Sequence, residues 1–116
     1  MKLVLIATML ATPAMADPPQ IVSTDVTQTG TTWTVDVTLR HPDTGWDHYA
    51  DGWRIETPEG TILGTRELVH PHVNEQPFTR SLGGVAIPDN TNAVRIRARC
   101  LIDGWSDATA KLRLKP

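Results

Sequence analysis

The sequence predicts an all-β, single-domain antiparallel sandwich, and three observations carry that reading. Apolar residues recur with a period of two in several short segments, turn-forming residues separate those segments, and no stretch shows the 3.6-residue period of an amphipathic helix. With 116 residues the chain has room for one domain.

The first sixteen residues are expected to lie outside that domain. Met1-Lys2, the apolar run over residues 3–11 and Ala14-Met15-Ala16 are the charged start, hydrophobic centre and small-residue end of a secretory signal peptide, with cleavage after Ala16. Pro13 would break the same run as a helix of the domain. The domain is then residues 17–116, expected in the periplasm or secreted. No run reaches the ~20 apolar residues that cross a bilayer, so no membrane span is expected after cleavage. No Cys stands at the cleavage point, which argues against a lipid anchor. Loss of Lys2 takes the formal charge from −2 to −3, and Met1, Met9 and Met15 all leave with the leader. Cys100 has no partner for an internal disulfide, so the fold must rest on its hydrophobic core.

The elements follow in order. A first strand is expected over residues 21–27, closed by Thr29-Gly30. In the second, Trp33, Val35, Val37 and Leu39 point inward and alternate with Thr34, Asp36 and Thr38. Trp53 and Ile55 alternate with Arg54 and Glu56 in the third. Pro58-Glu59-Gly60 turns into a fourth over residues 61–69, and a fifth over residues 78–87 is interrupted by Gly83-Gly84, where a bulge is expected. Pro88-Asp89-Asn90 leads into Val94, Ile96, Ala98 and Cys100, alternating with Arg95, Arg97 and Arg99. Asp103-Gly104 turns into the last strand, where Ala110, Leu112 and Leu114 alternate with Lys111, Arg113 and Lys115. About seven strands result.

The run Val94-Arg95-Ile96-Arg97-Ala98-Arg99, then Gly104-Trp105-Ser106-Asp107 and a short final strand, resembles the last two strands of fibronectin type III domains. Trp33 and Trp53 stand where that family often has core aromatics. Thr91-Asn92-Ala93 departs from it, since the family usually has a Tyr at the start of the penultimate strand. The resemblance implies an immunoglobulin-like sandwich and no particular chemistry.

Successive hairpins place the loops over residues 40–51, 70–77 and 103–107 at one end. That end collects His41, His48, His70 and His72, the aromatics Trp46, Tyr49 and Trp105, and Asp43, Asp47, Asp51, Glu75, Asp103 and Asp107. Long loops on a rigid scaffold are where function gathers. Two readings of this end are open. The four histidines could bind Zn or Cu(II), with His70-Pro71-His72 placing two imidazoles on a stiff link. A soft Cu(I) site lacks ligands if the mature chain has no Met and Cys100 faces the core. Alternatively Trp46, Asp47, Tyr49, Asp103 and Trp105 form a recognition surface for a protein or glycan of the cell envelope, although Trp46 is expected to cap the core. The four-residue spacing of Asp43, Asp47 and Asp51 does not fit a calcium loop, and these are read as solvated acids.

If the alternation holds, Arg95, Arg97, Arg99, Lys111, Arg113 and Lys115 share the outer face of one sheet, partly offset by Glu56. Such a face could meet an anionic glycan or protein, or serve only as a solvated surface that deters edge pairing. The near-neutral total gives no reason to expect nucleic acid. No enzyme is expected: G-x-S-x-G, H-E-x-x-H, the P-loop and the dinucleotide fingerprint are all missing, and Cys100 is read as an inert buried thiol. The candidate cofactor is Cu(II) or Zn, held by the loop histidines. The chain is read as a non-catalytic binding or accessory module.

Overall fold

A computed structural model describes residues 17–114, so the signal-peptide reading of residues 1–16 and the expected cation Lys115 lie outside the described residues. The strands are β1 (Gln20–Thr29), β2 (Thr32–Arg40), β3 (Ala50–Glu56), β4 (Ile62–Glu67), β5 (Phe78–Val85), β6 (Ala93–Cys100), β7 (Gly104–Trp105) and β8 (Ala110–Arg113). They form two antiparallel sheets, with no helix among the described residues. One sheet is β1-β2-β5; in the other, β4-β3-β6 is completed by β7 and β8, which both pair with β6.

The period-two pattern resolves as the sequence predicts. Val35, Val37, Leu39, Trp53, Ile55, Val94, Ile96, Ala98, Leu112 and Leu114 all lie in the core, and Trp33 packs against it half-buried. Inward side chains of the two sheets meet there, which removes apolar area from water worth about 25 cal/mol per Å². The expected bulge at Gly83-Gly84 is present. Trp33 faces Val85 and Val35 faces Leu82, so β5 carries an extra residue, accommodated by Gly84 at φ 66°.

One element differs from its expected form. The single last strand is split, because residues 106–109 leave β6 between β7 and β8. Arg97 fills that excursion, its Nη1 donating to the carbonyls of Ser106 (2.6 Å) and Asp107 (3.0 Å). A guanidinium with several donors can satisfy carbonyls that would otherwise seek a strand partner.

The strand directions bring the loops over residues 41–49, 68–77 and 101–103 to one end. Backbone bonds tie them together: Leu101 N–H donates to the Tyr49 carbonyl and Leu68 N–H to that of Asp51, both at 3.0 Å. The His41 N–H donates to Gln76 Oε1 at 3.0 Å across the two longer loops.

A candidate metal centre at the loop end

The first long loop leaves β2 at Arg40 and folds sharply. Thr44 N–H donates to the His48 carbonyl (3.0 Å) and His48 N–H to that of Gly45 (3.2 Å), closing a tight turn on Gly45 at φ 146°. That turn brings His48 back over His41, their ring centroids 4.7 Å apart and nearly perpendicular. Trp46 and Asp47 occupy the tip. Trp46 is 66% exposed and meets the edge of Tyr49, 5.8 Å between centroids, so it does not cap the core as the sequence predicts. A residue at the apex of a two-residue turn points away from the sheet that the turn closes.

Asp43 overturns its expected role as a solvated acid. It is 6% exposed and accepts three hydrogen bonds, from His41 Nδ1 (2.5 Å), the Ala50 N–H (3.0 Å) and the His72 N–H (2.8 Å). One carboxylate therefore clamps the start of β3 and both long loops. Because the carboxylate only accepts, Nδ1 of His41 carries a proton, and in the neutral ring this leaves the Nε2 lone pair free.

Opposite these rings lies Cys100, the last residue of β6, fully buried. One ring nitrogen of His41, one of His48 and the Cys100 sulfur all lie within 4.8 Å of one another. The Nε2 atoms of both imidazoles are buried and have no hydrogen-bond partner. Burial pushes the Cys100 thiol upward from its usual range, and its Sγ donates to Asp103 Oδ2 at 3.5 Å while accepting the Asp103 N–H at 3.3 Å. Two imidazole nitrogens and one sulfur, with a carboxylate against the sulfur, match the donors that Zn and Cu take. The expectation that Cys100 faces the core is met. The inference from it, that sulfur is missing from the site, is not.

The four histidines do not form one group. His72 is buried against Phe78, the rings stacked at 3.9 Å, and its Nε2 accepts from Arg80 Nη2 at 2.7 Å. Burial, then the charge of Arg80, holds its pKa below the ordinary histidine value, so it stays neutral. His70 is exposed beside it, ring centroids 4.6 Å apart, with Nδ1 against the Pro71 carbonyl. This pair belongs to the packing of the second loop on β5.

The predicted recognition residues divide as well. Asp47 and Asp103 are exposed and Tyr49 is half-buried. Trp105 lies on the outer sheet face, 4.1 Å beneath the guanidinium of Arg54 and 5.2 Å from that of Arg99. On the same face Glu56, only 3% exposed, is gripped by Arg97 (2.8 and 3.2 Å) and Arg54 (2.6 Å). Those bonds, first the one from Arg97, hold its carboxyl below the usual range. Arg99 pairs with Asp51 at 2.9 Å. Of the expected basic face, Arg97 and Arg99 are thus consumed internally, while Arg95, Lys111 and Arg113 are exposed and make no ion pair among the described residues.

The sequence analysis missed Cys100 as a donor, Asp43 as the clamp, and the Glu56–Arg54–Trp105 network. Alternation assigns a residue to a face but not to a height along the strand. The height of Cys100 was readable from its place at the strand's end, beside the Asp103 turn.

No protein-family model matches the chain. A Halomicrobium mukohataei protein named "Putative lipoprotein" is 45% identical over 69 residues, which are 60% of this chain and 33% of that protein. The chain thus matches only about a third of that relative's length. The crystal structure of a hypothetical protein from Pyrococcus horikoshii superposes with a TM-score of 0.55 at 15% identity, covering 84% of this chain and 88% of that one. It shares the sandwich fold.

Proposed function

We propose that this is an exported, non-catalytic accessory domain of the cell envelope that binds one transition-metal ion at its loop end. A nitrogen of each ring lying within 4.8 Å of the other and of the buried thiol carries the reading, and the buried Nε2 of each ring is without a partner. A buried acceptor without a donor costs about 1–3 kcal/mol, and a metal ion removes that cost for both rings at once. Asp43 adds the orienting carboxylate that metal-bound histidines usually have. The similarity to a protein named a lipoprotein supports an envelope location, as does the leader read from residues 1–16. The order β1-β2-β5 against β4-β3-β6 followed by β7 and β8 supports the fibronectin type III-like reading.

Titration of the mature chain with Zn(II), Cu(II) and Co(II) tests this, read by thermal unfolding, native mass and thiolate-to-metal charge-transfer absorption. One equivalent should raise the melting temperature, and Co(II) should give the thiolate band. His41→Ala, His48→Ala or Cys100→Ser should remove both effects, while the His70→Ala/His72→Ala variant should still bind. No adduct and no shift at tens of micromolar metal would sink the proposal.

A second reading has its own support. Trp46, Val69, Val73, Leu101 and Ile102, most of the large exposed apolar side chains, belong to the three loops at this end. Single exposed apolar residues are ordinary, but a collection on one pole fits a protein contact around the metal. Loss of partner capture in Trp46→Ala with metal affinity intact would separate the two roles.

A further inference from the structure

We propose that removal of the signal peptide completes the loop-end site: the amino group freed at Asp17 docks on the Asp103 carboxylate beside the Cys100 sulfur and holds it for metal binding. This rests on the metal reading above and on cleavage after Ala16.

Three contacts place the groups. The Asp17 nitrogen donates to Asp103 Oδ2 at 3.0 Å. That same oxygen accepts from Cys100 Sγ at 3.5 Å, and the Asp103 N–H donates back to Sγ at 3.3 Å. The register explains the position. Gln20 pairs with Arg40, so the chain just before β1 must run alongside the start of the loop that holds His41.

Cleavage changes what this nitrogen is. Within the precursor it is a peptide amide, with one N–H and no charge. Hydrolysis of the Ala16–Asp17 bond consumes one water and leaves a carboxylate on Ala16 and an ammonium on Asp17. A bond from a neutral amide to the Asp103 carboxylate becomes an ion pair, with donors to spare. When a metal takes Cys100 as thiolate, the sulfur no longer donates to Oδ2, and two negative groups face each other at close range. The ammonium supplies the compensating charge and a replacement donor at the place where both are needed. Metal loading is thereby coupled to export, favoured in the processed chain over the precursor.

The core residues among those described, Val35 to Leu114, all follow Ala16, so the chain cut there retains them. Three forms test the proposal: residues 17–116 with a free amino group, the same chain acetylated at Asp17, and a chain retaining residues 14–16. The free amine should bind Zn(II) about two- to fivefold more tightly than either blocked form, the range expected of an exposed ion pair. It should also melt at a higher temperature without metal. Asp103→Asn should make the three forms equal in both measurements. Equal affinities with Asp103 intact, or a difference that survives Asp103→Asn, overturn the proposal. If no form binds Zn(II) or Co(II), the metal reading itself falls. The metal-free melting comparison then decides the Asp17–Asp103 pair: a gain lost in Asp103→Asn supports it, and equal melting overturns it.

Discussion

Two regions of this domain bury polar side chains, and they treat them in opposite ways. On the outer face of the β4-β3-β6 sheet, Glu56 is as buried as a core residue, yet both its oxygens accept from guanidinium groups, and Arg54 in turn lies over Trp105. At the loop end Asp43 is equally well satisfied, but the two imidazoles above Cys100 keep unpartnered Nε2 atoms. The first arrangement is closed around Glu56: both carboxylate oxygens have their donors. The second is open at the point where three metal-binding atoms converge. Buried polar groups are normally satisfied, so an unsatisfied convergent set points to a ligand, whereas a satisfied one points to structure.

Substitutions can break this contrast. Cys100→Ser should weaken metal binding more than about a hundredfold, since groups that merely hydrogen-bond to ligands are already worth about 10- to 100-fold. Zinc competition against a chromophoric chelator measures it, with unfolding in urea expected to move far less. Glu56→Ala should do the reverse. It strands Arg54 and Arg97 and should cost about 3 kcal/mol in urea unfolding while leaving zinc affinity intact. A loss of affinity there would show that the two regions are coupled.

Asp43→Asn sharpens the comparison, because Asp43 belongs to the open site but is itself closed. The two backbone N–H groups donate to different carboxylate oxygens, so the single oxygen of the amide keeps only one of them, and the His41 tautomer is no longer held. Zinc affinity should fall about 10-fold or more, with a stability loss of about 1–3 kcal/mol.

Acidification probes the neutral His72. Its folded pKa lies below the ordinary 6.5, so between those values the unfolded chain binds more protons and stability falls as pH is lowered through that window. His72→Gln should flatten that part of the stability profile. Glu56 acts with the same sign further down: its folded value lies below 4.5, so its contribution is present above 4.5 and is lost on acidification below it. Smallest of all, Trp46→Ala should change unfolding by less than about 0.5 kcal/mol, as an exposed turn residue does.

The charged residues of β6 show how far the sequence could be read. The outward positions of Arg97 and Arg99 followed from alternation, and the structure keeps them there. Their partners did not follow. Glu56 lies 41 residues before Arg97 and Asp51 lies 48 before Arg99, and only the β3–β6 register brings them together.

Local pattern was enough for the strands, their inward faces, the Gly83-Gly84 bulge and the gathering of loops at one end, because a period of two and turn chemistry act between near neighbours in the chain. Pairing strands from distant parts of the chain decided the rest. It separated His41 and His48 from His70 and His72, sank Asp43 between the loops, and set Cys100 at the height of the imidazoles. Register and depth are properties of assembled sheets, fixed by contacts between residues far apart in sequence.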